Sequence, residues 1–128
     1  MILTYNRCAE VLTSLGHLTA LPEQPRIVLV DNGSTDGTAA TVVQHFPQVE
    51  IINAGGNLGG AGRTLGVRHL DTPYVALCDD DTWWEPGGLS YAANLMDAQP
   101  RLAVITARVL VGPEEREDPT CRLMANSP

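Results

Sequence analysis

Three consecutive carboxylates, Asp79-Asp80-Asp81, follow the largely apolar run 74–78, which Pro73 precedes. The run has the length and composition of a strand buried on both faces, so the carboxylates mark where that strand leaves the core. Adjacent carboxylates repel one another, and a bound cation relieves the repulsion. Mg²⁺ or Mn²⁺ would suit such a site, because hard cations take oxygen ligands and keep positions for water and phosphate. The simpler alternative is a solvated acidic turn.

Alternating apolar runs and amphipathic segments predict the elements that position these carboxylates. Strands are predicted at 1–3, 26–30, 49–53, 74–78 and 102–111, with the last centred on 103–107. Four helices are predicted. The first spans 7–21, the second runs from an N-cap at Ser34 to Phe46, the third follows a glycine-rich stretch and ends at Leu70, and the fourth spans 88–98. Such alternation predicts an α/β fold: a Rossmann-like, mostly parallel sheet with helices on both faces.

Polar residues follow each of the first four predicted strands. The stretches are 4–7, 31–33, Asn53 with the glycine-rich run 54–63, and 79–81. Because parallel strands end at one edge of a sheet, and ligands bind there, these residues are expected to form one site. If the extended geometry continues, Asp79 and Asp81 face one side and Asp80 the other. The glycine-rich run is either a flexible connection or a loop whose backbone approaches a ligand.

Length and composition exclude several classes of protein. The 128 residues suit one domain, and a net charge of −7 argues against nucleic acid as a partner. All eight basic residues are Arg, so a basic phosphate contact must come from a guanidinium. Three separated cysteines suit the cytoplasm, and we expect neither a signal peptide nor a transmembrane segment.

Four motifs in order carry a resemblance to a known family. They are Thr4-Tyr5-Asn6-Arg7, the run 30–38 (VDNGSTDGT), Asn57-Leu58-Gly59 with Arg63, and Asp79-Asp80-Asp81. Together they resemble family 2 glycosyltransferases of the GT-A fold, over residues 1–111. The resemblance implies a partial nucleotide-sugar-binding domain at 1–111, followed by a polar acidic tail at 112–128. It implies metal-dependent transfer, with inversion, of a sugar from a nucleotide-diphosphate sugar, with UDP as the expected nucleotide.

The resemblance also implies roles for residues at the nucleoside end of the site. Thr4 and Tyr5 match residues that line the nucleoside pocket, and Arg7 matches the end of the same motif. Asp31 matches the carboxylate that hydrogen-bonds the base, usually uracil. A carboxylate can accept the N–H that a uracil edge offers.

The remaining roles concern the ribose, the diphosphate and the metal. Arg63 matches a basic residue near the base and diphosphate. Asp79 and Asp80 match the first positions of the DxD motif, one of which holds the ribose, and Asp81 matches the ligand of Mn²⁺ or Mg²⁺. Trp83 and Trp84 either border the sugar site or pack in the core.

The chain departs from the family pattern where the catalytic base should be. That base lies well beyond the DxD motif, and none of the carboxylates of the acidic tail matches it, so no catalytic residue is assigned. A second metal ligand, often a His, has no match either, and the chain is expected to be truncated at both ends. The acceptor, whether a glycan, a lipid or a small molecule, is open, and the expected location is the cytoplasm or the inner face of a membrane.

Two alternatives to an enzyme of this family follow from the same residues. One is a non-catalytic nucleotide-binding module of the same fold, since the base is missing. The other is a phosphatase of the haloacid dehalogenase type, in which a strand also leads into Asp-x-Asp. That motif wants Thr or Val where this chain has Trp83, and it wants a downstream Lys, whereas this sequence has none.

Overall fold

The computed structural model describes residues 1–125 of the protein. In its first unit, Met1–Asn94, four short strands form a parallel sheet. The strands are β1 (Ile2–Thr4), β2 (Val28–Asp31), β3 (Glu50–Asn53) and β4 (Cys78–Asp79). Their spatial order is β3-β2-β1-β4. β1 therefore lies inside the sheet, with β2 and then β3 on one side of it and β4 on the other.

Helices cover both faces of this sheet, as predicted. They are α1 (Cys8–Thr19), α2 (Thr38–His45), α3 (Arg63–His69) after a 3₁₀ turn at Gly59–Gly62, and α4 (Gly88–Ala98). Leu29 of β2 packs in a cluster with apolar residues of α1 and α2, whereas its neighbours Val28 and Val30 pack in a second cluster with Leu65 of α3. Successive strand residues point to opposite faces, so an all-apolar strand needs a helix layer on each side.

The register aligns the residues at which the strands end. Thr4 lies beside Asp31, and Asp31 lies beside Asn53. On the other side of β1, Leu3 lies beside Asp79, so the acidic triplet continues beyond the sheet at the same edge.

Three predicted elements differ from the structure. The run 74–78 is paired only at its end, and Leu77 is 51% exposed, because β4 is an edge strand of the described sheet rather than one buried on both faces. Helix α2 begins at Thr38 with Gly37 at its N-cap, so the predicted N-cap at Ser34 is wrong. A strand centred on 103–107 is also wrong, since strand pairing resumes only at Leu110.

The second unit, Leu95–Pro128, has its own short elements. β5 (Leu110–Val111) pairs antiparallel with β6 (Arg116–Glu117), and α5 (Pro119–Ala125) follows. The predicted tail 112–128 thus contains regular structure up to Ala125, and its last residues lie outside the described part of the chain. Within residues 1–125, no helix combines the length and the apolar character needed to span a bilayer.

An ion-pair network at the opposite, amino-terminal edge of the sheet gives a pH-dependent prediction. Arg26 contacts Glu50 through Nε at 2.5 Å and Nη2 at 2.9 Å, and His69 Nε2 lies 2.9 Å from the same carboxylate. Hydrogen bonds from Arg26 and then His69 lower the pKa of Glu50 from 4.5 to about 2. A lowered folded-state pKa stabilises the fold above pH 4.5, and this contribution is lost as the pH falls toward 2.

We therefore expect Glu50→Gln to lower the free energy of unfolding at neutral pH and to lose that effect in acid. Urea unfolding of both proteins from pH 7 to pH 2 should show the two values converging below pH 4.5, where Glu50 is protonated in the unfolded chain. Glu85→Gln is the surface control, for which we expect no such convergence. A difference that stays constant over the whole range would contradict the network's role.

Candidate functional site

Two exposed carboxylates of the acidic triplet each contact a guanidinium. The side chain of Asp79 is 61% exposed and forms an ion pair with Arg63, the first residue of α3. The side chain of Asp81 is 49% exposed, and one of its oxygens accepts a hydrogen bond from Arg7 Nη2 at 3.0 Å. The loop after β1 and the start of α3 therefore reach the triplet from its two sides.

The middle carboxylate, Asp80, lies inward and is only 7% exposed. Thr4 Oγ1 donates to its Oδ2 at 2.9 Å, and Arg7 Nε lies 3.4 Å from its Oδ1. Ser14 of α1 donates to the backbone carbonyl of Asp80 at 2.9 Å. Burial raises the pKa of Asp80, and the hydrogen bond from Thr4 and the charge of Arg7 offset part of this rise. The strand ends at Asp79 and a turn follows, so the condition for the predicted alternation is not met, and Arg7 contacts both Asp80 and Asp81.

Arg7 forms ion pairs with two of the three carboxylates of the triplet, Asp80 and Asp81. The carboxylate of Asp80 raises the pKa of Arg7, with smaller contributions from Asp81 and Glu10. The guanidinium therefore stays charged and offsets the repulsion within the triplet. Arg7 contacts one oxygen of Asp81, and a cation that binds the same oxygen would compete with Arg7 for it.

The end of β2 holds a second buried carboxylate. Asp31 is 2% exposed, and its Oδ1 accepts a hydrogen bond from the backbone N–H of Ser34 at 2.8 Å. Asn6 ties the loop after β1 to the same segment: its N–H donates to Ser34 Oγ at 2.9 Å, and its Oδ1 accepts from the N–H of Thr35 at 2.7 Å. The loops after β1 and β2 thus support one another at the edge of the sheet.

Two aromatic residues that follow β1 and the acidic triplet in the chain have exposed side chains. Tyr5 is 43% exposed and Trp83 is 41% exposed. Trp83 stacks on His17 of α1, with ring centroids 4.1 Å apart and an angle of 8° between the planes. Trp84 packs against the core cluster, whereas Trp83 lies on the surface against α1.

Three polar residues whose hydrogen bonds connect the loops at this edge were not predicted as site residues: Asn6, Ser14 and Asn32. Asn6 and Asn32 lie inside the quoted motifs, so the motifs themselves were the available signal. Ser14 lies among apolar residues on the inner face of α1, and no sequence pattern marked it.

The donor set decides what kind of metal ion could bind. Among residues 1–125, no group of three or more His, Cys, Asp or Glu side chains is arranged to hold one. Asp81 and Asp79 each present an exposed carboxylate, and these pair with Arg7 and Arg63 respectively. This fits Mg²⁺ or Mn²⁺, which proteins commonly hold through one or two carboxylates together with substrate phosphates. It does not fit an all-protein zinc site.

A protein-family model matches almost the whole chain. The model of glycosyl transferase family 2 matches residues 1–127. The chain belongs to glycosyl transferase family 2. The family predicted from the four motifs is confirmed.

Two curated relatives illustrate the family membership. An N-acetylglucosaminyl-diphospho-decaprenol L-rhamnosyltransferase of Mycobacterium tuberculosis is 29% identical, over 80% of this chain and 38% of its own. A glycosyltransferase of Bacillus subtilis with no assigned activity, YwdF, is 31% identical, over 73% of this chain and 36% of its own. This family 2 chain thus spans about two fifths of the length of these relatives.

Solved structures confirm the fold. A mannosyltransferase from Pyrobaculum calidifontis, PcManGT, in complex with GDP-Man and Mn²⁺, superposes with a TM-score of 0.66 at 24% identity, covering 86% of this chain and 34% of that one. TarS 1-349 of S. aureus in complex with UDP gives a TM-score of 0.61 at 20% identity, covering 88% of this chain and 38% of that one. The predicted α/β GT-A architecture is therefore correct, while the roles of individual site residues stay predictions.

Proposed function

We propose that this family 2 chain binds the nucleotide-diphosphate-sugar donor, with UDP as the nucleotide, at the carboxyl edge of its sheet. The observation that carries the proposal is the convergence of a buried carboxylate, two arginines and an exposed carboxylate at one edge. They are Asp31, Arg7, Arg63 and Asp81. In the full-length enzyme this part would serve metal-dependent transfer of the sugar with inversion.

The base end of the donor lies at the ends of β1 and β2. Asp31 accepts the N–H of a uracil edge, while its Oδ1 is already oriented by the N–H of Ser34. A buried carboxylate that must pair with a donor selects strongly for a base that supplies one. Thr4 and Tyr5 border the nucleoside on the β1 side.

The diphosphate end lies between the two arginines. Arg7 and Arg63 supply guanidinium groups suited to paired contacts with phosphate oxygens. Asp81 holds Mn²⁺ or Mg²⁺, which when bound neutralises charge on the leaving diphosphate. Of the two carboxylates proposed for the ribose, we favour Asp79, because both oxygens of Asp80 already contact Thr4 and Arg7.

This chain's share of the reaction is to hold the donor so that its anomeric carbon faces the acceptor. Inversion follows when an acceptor oxygen attacks that carbon from the side opposite the diphosphate, in a single displacement. Fixing the diphosphate by two arginines and orienting the base at Asp31 would contribute through positioning and charge stabilisation. The acceptor would be a glycan, a lipid or a small molecule.

Ligands of the structural neighbours support a nucleotide-sugar donor. PcManGT carries GDP-Man and Mn²⁺, and TarS 1-349 has been solved with UDP and with UDP-GlcNAc. These ligands belong to those proteins, and they agree in chemical class with a base, a ribose and a diphosphate.

Isothermal calorimetry on this chain with UDP, GDP and CDP, each with and without Mn²⁺, tests the proposal. We expect UDP to bind most tightly and to bind more tightly when Mn²⁺ is present. A chain that circular dichroism shows to be folded, but that binds none of the three diphosphates under either condition, would contradict the proposal.

Substitution of Arg7 should move two affinities in opposite directions. In Arg7→Gln, Mn²⁺ alone should bind Asp81 up to about fivefold more tightly, because a weak, exposed ion pair no longer competes for the carboxylate. UDP with Mn²⁺ should bind about tenfold or more weakly, because a charge-assisted hydrogen bond contributes about 1.5–3 kcal/mol. Electron paramagnetic resonance of Mn²⁺ and calorimetry of UDP measure the two values.

Arg68→Gln, which removes an arginine elsewhere on α3, is the control, and we expect neither affinity to change. If Arg7→Gln weakened Mn²⁺ and UDP alike, Arg7 would only support the loop, and its proposed exchange between Asp81 and the diphosphate would be wrong.

A further inference from the structure

The side chain of Asn32 connects the end of β2 to the glycine-rich loop, defined here as residues 54–62. Asn32 is 3% exposed, and its Nδ2 donates to Asn57 Oδ1 at 3.2 Å and to the carbonyl of Gly59 at 3.1 Å. Its Oδ1 accepts from the N–H of Leu58 at 3.1 Å. One buried amide therefore uses both of its donor hydrogens and its acceptor on three consecutive loop residues.

Close packing supports the same contact. Gly33 has φ of +85°, and a Cβ there would lie 2.8 Å from the Cα of Gly56. A Cβ at Gly62 would lie 2.7 Å from Leu3 Cδ1 and 2.9 Å from Asn32 Oδ1. Both ends of the glycine-rich loop thus touch the ends of β1 and β2 at distances that only glycine allows. The loop lies directly on the sheet edge, which argues against a flexible connection.

The loop leads straight into Arg63. The 3₁₀ turn Gly59–Gly62 is continuous with α3, and the guanidinium of Arg63, at the start of that helix, pairs with Asp79. Asn32 thus fixes the glycine-rich loop, and the C-terminal end of that loop positions Arg63 relative to the acidic triplet. It also follows Asp31 directly in the chain, so one strand end carries the base-binding carboxylate and the residue that fixes the loop.

We infer that Asn32 is a positioning residue of the donor site, and that the glycine-rich loop is a preformed wall of that site. The inference rests on the proposed nucleotide site. Asn32 acts through the loop rather than on the ligand: its amide fixes residues 57–59, and these fix the start of α3 with Arg63. A site preformed in this way binds its ligand without a further cost of ordering the loop.

Asn32→Ala tests the inference, because it removes all three hydrogen bonds without adding bulk. Amide hydrogen exchange at Leu58 and Gly59 should accelerate, because the clamp that restrains the loop is gone. The affinity for UDP with Mn²⁺ should fall about tenfold, because small displacements of positioning groups have effects of this order. If Asn32→Ala proves too unstable, Asn57→Ala removes one partner of Asn32 and also the acceptor of the Gly59 N–H, and it should give smaller changes in the same directions in Leu58 exchange and in UDP affinity.

Val42→Ala is the matched control, since Val42 is fully buried in the core cluster of α1 and α2, on the opposite face of the sheet from α3. It should lower the melting temperature while exchange at Leu58 and the affinity for UDP stay unchanged. Equal losses of UDP affinity in the control and in Asn32→Ala would overturn the inference, as would faster loop exchange with unchanged affinity. If the unaltered chain bound no nucleotide, the proposed function would fail, and exchange at Leu58 and Gly59 would still decide whether Asn32 clamps the loop.

Discussion

Asp81→Ala should abolish the effect of Mn²⁺ on UDP binding. Asp81 is the carboxylate of the triplet that we propose shares a cation with the diphosphate, and its partner in the structure is Arg7. Loss of even an outer partner of a metal ligand commonly costs about 10–100-fold in metal affinity, so loss of the ligand itself should cost about 100-fold or more. Calorimetry of UDP with and without Mn²⁺ should give the same, weak affinity under both conditions.

The control for Asp81→Ala is Asp71→Ala. Asp71 is an exposed carboxylate at the amino-terminal edge of the sheet, and it pairs with Arg26. This substitution should leave both affinities unchanged. Persistence of a Mn²⁺-dependent gain in UDP affinity after Asp81→Ala would show that the metal is held elsewhere, and the assignment of Asp81 would be wrong.

The second large effect concerns the choice of base. In Asp31→Asn the amide oxygen can still accept from the N–H of Ser34, which turns the NH₂ group toward the base. A uracil N–H would then face another donor, whereas the N3 of cytosine could accept from the same NH₂. An unpaired buried donor costs about 1–3 kcal/mol, so the ratio of UDP to CDP affinity should fall about tenfold or more.

Calorimetry with the two nucleotides in the presence of Mn²⁺ measures that ratio. Asp36→Asn is the control, because Asp36 accepts hydrogen bonds from Thr38 and Cys8 in the same segment. This change should disturb the loop without altering the preference for one base. An unchanged ratio in Asp31→Asn would mean that Asp31 only shapes the turn after β2.

The sequence was sufficient to predict the sheet edge at which the polar residues of the proposed site meet. The strands are short but almost wholly apolar, and in a parallel α/β arrangement their polar continuations must meet. The pattern of apolar strands and polar continuations therefore predicts that Thr4, Asp31 and the acidic triplet lie at one edge of the sheet. The tertiary contacts that orient them follow no local rule: the pairing of Arg7 with Asp81 joins residues 74 positions apart.

The errors have local causes. Ser34 has the chemistry of an N-cap, but its N–H and hydroxyl are engaged by Asp31 and Asn6, so α2 starts later, at Thr38. The run 103–107 has strand composition, but it forms no strand in the structure. Strand propensity describes the fit to a neighbouring strand, and without that neighbour it predicts little.

Nuclear magnetic resonance of the ¹⁵N-labelled chain titrated with UDP and a diamagnetic Mg²⁺ salt tests the central claim most directly. We predict that amide shifts concentrate at the carboxyl edge, at Asp31, Asn32, Gly59 and Asp81, while Glu50 and His69 at the opposite edge stay unchanged. Shifts confined to the opposite edge, or no shifts at saturating UDP, would contradict a donor site at the ends of the strands.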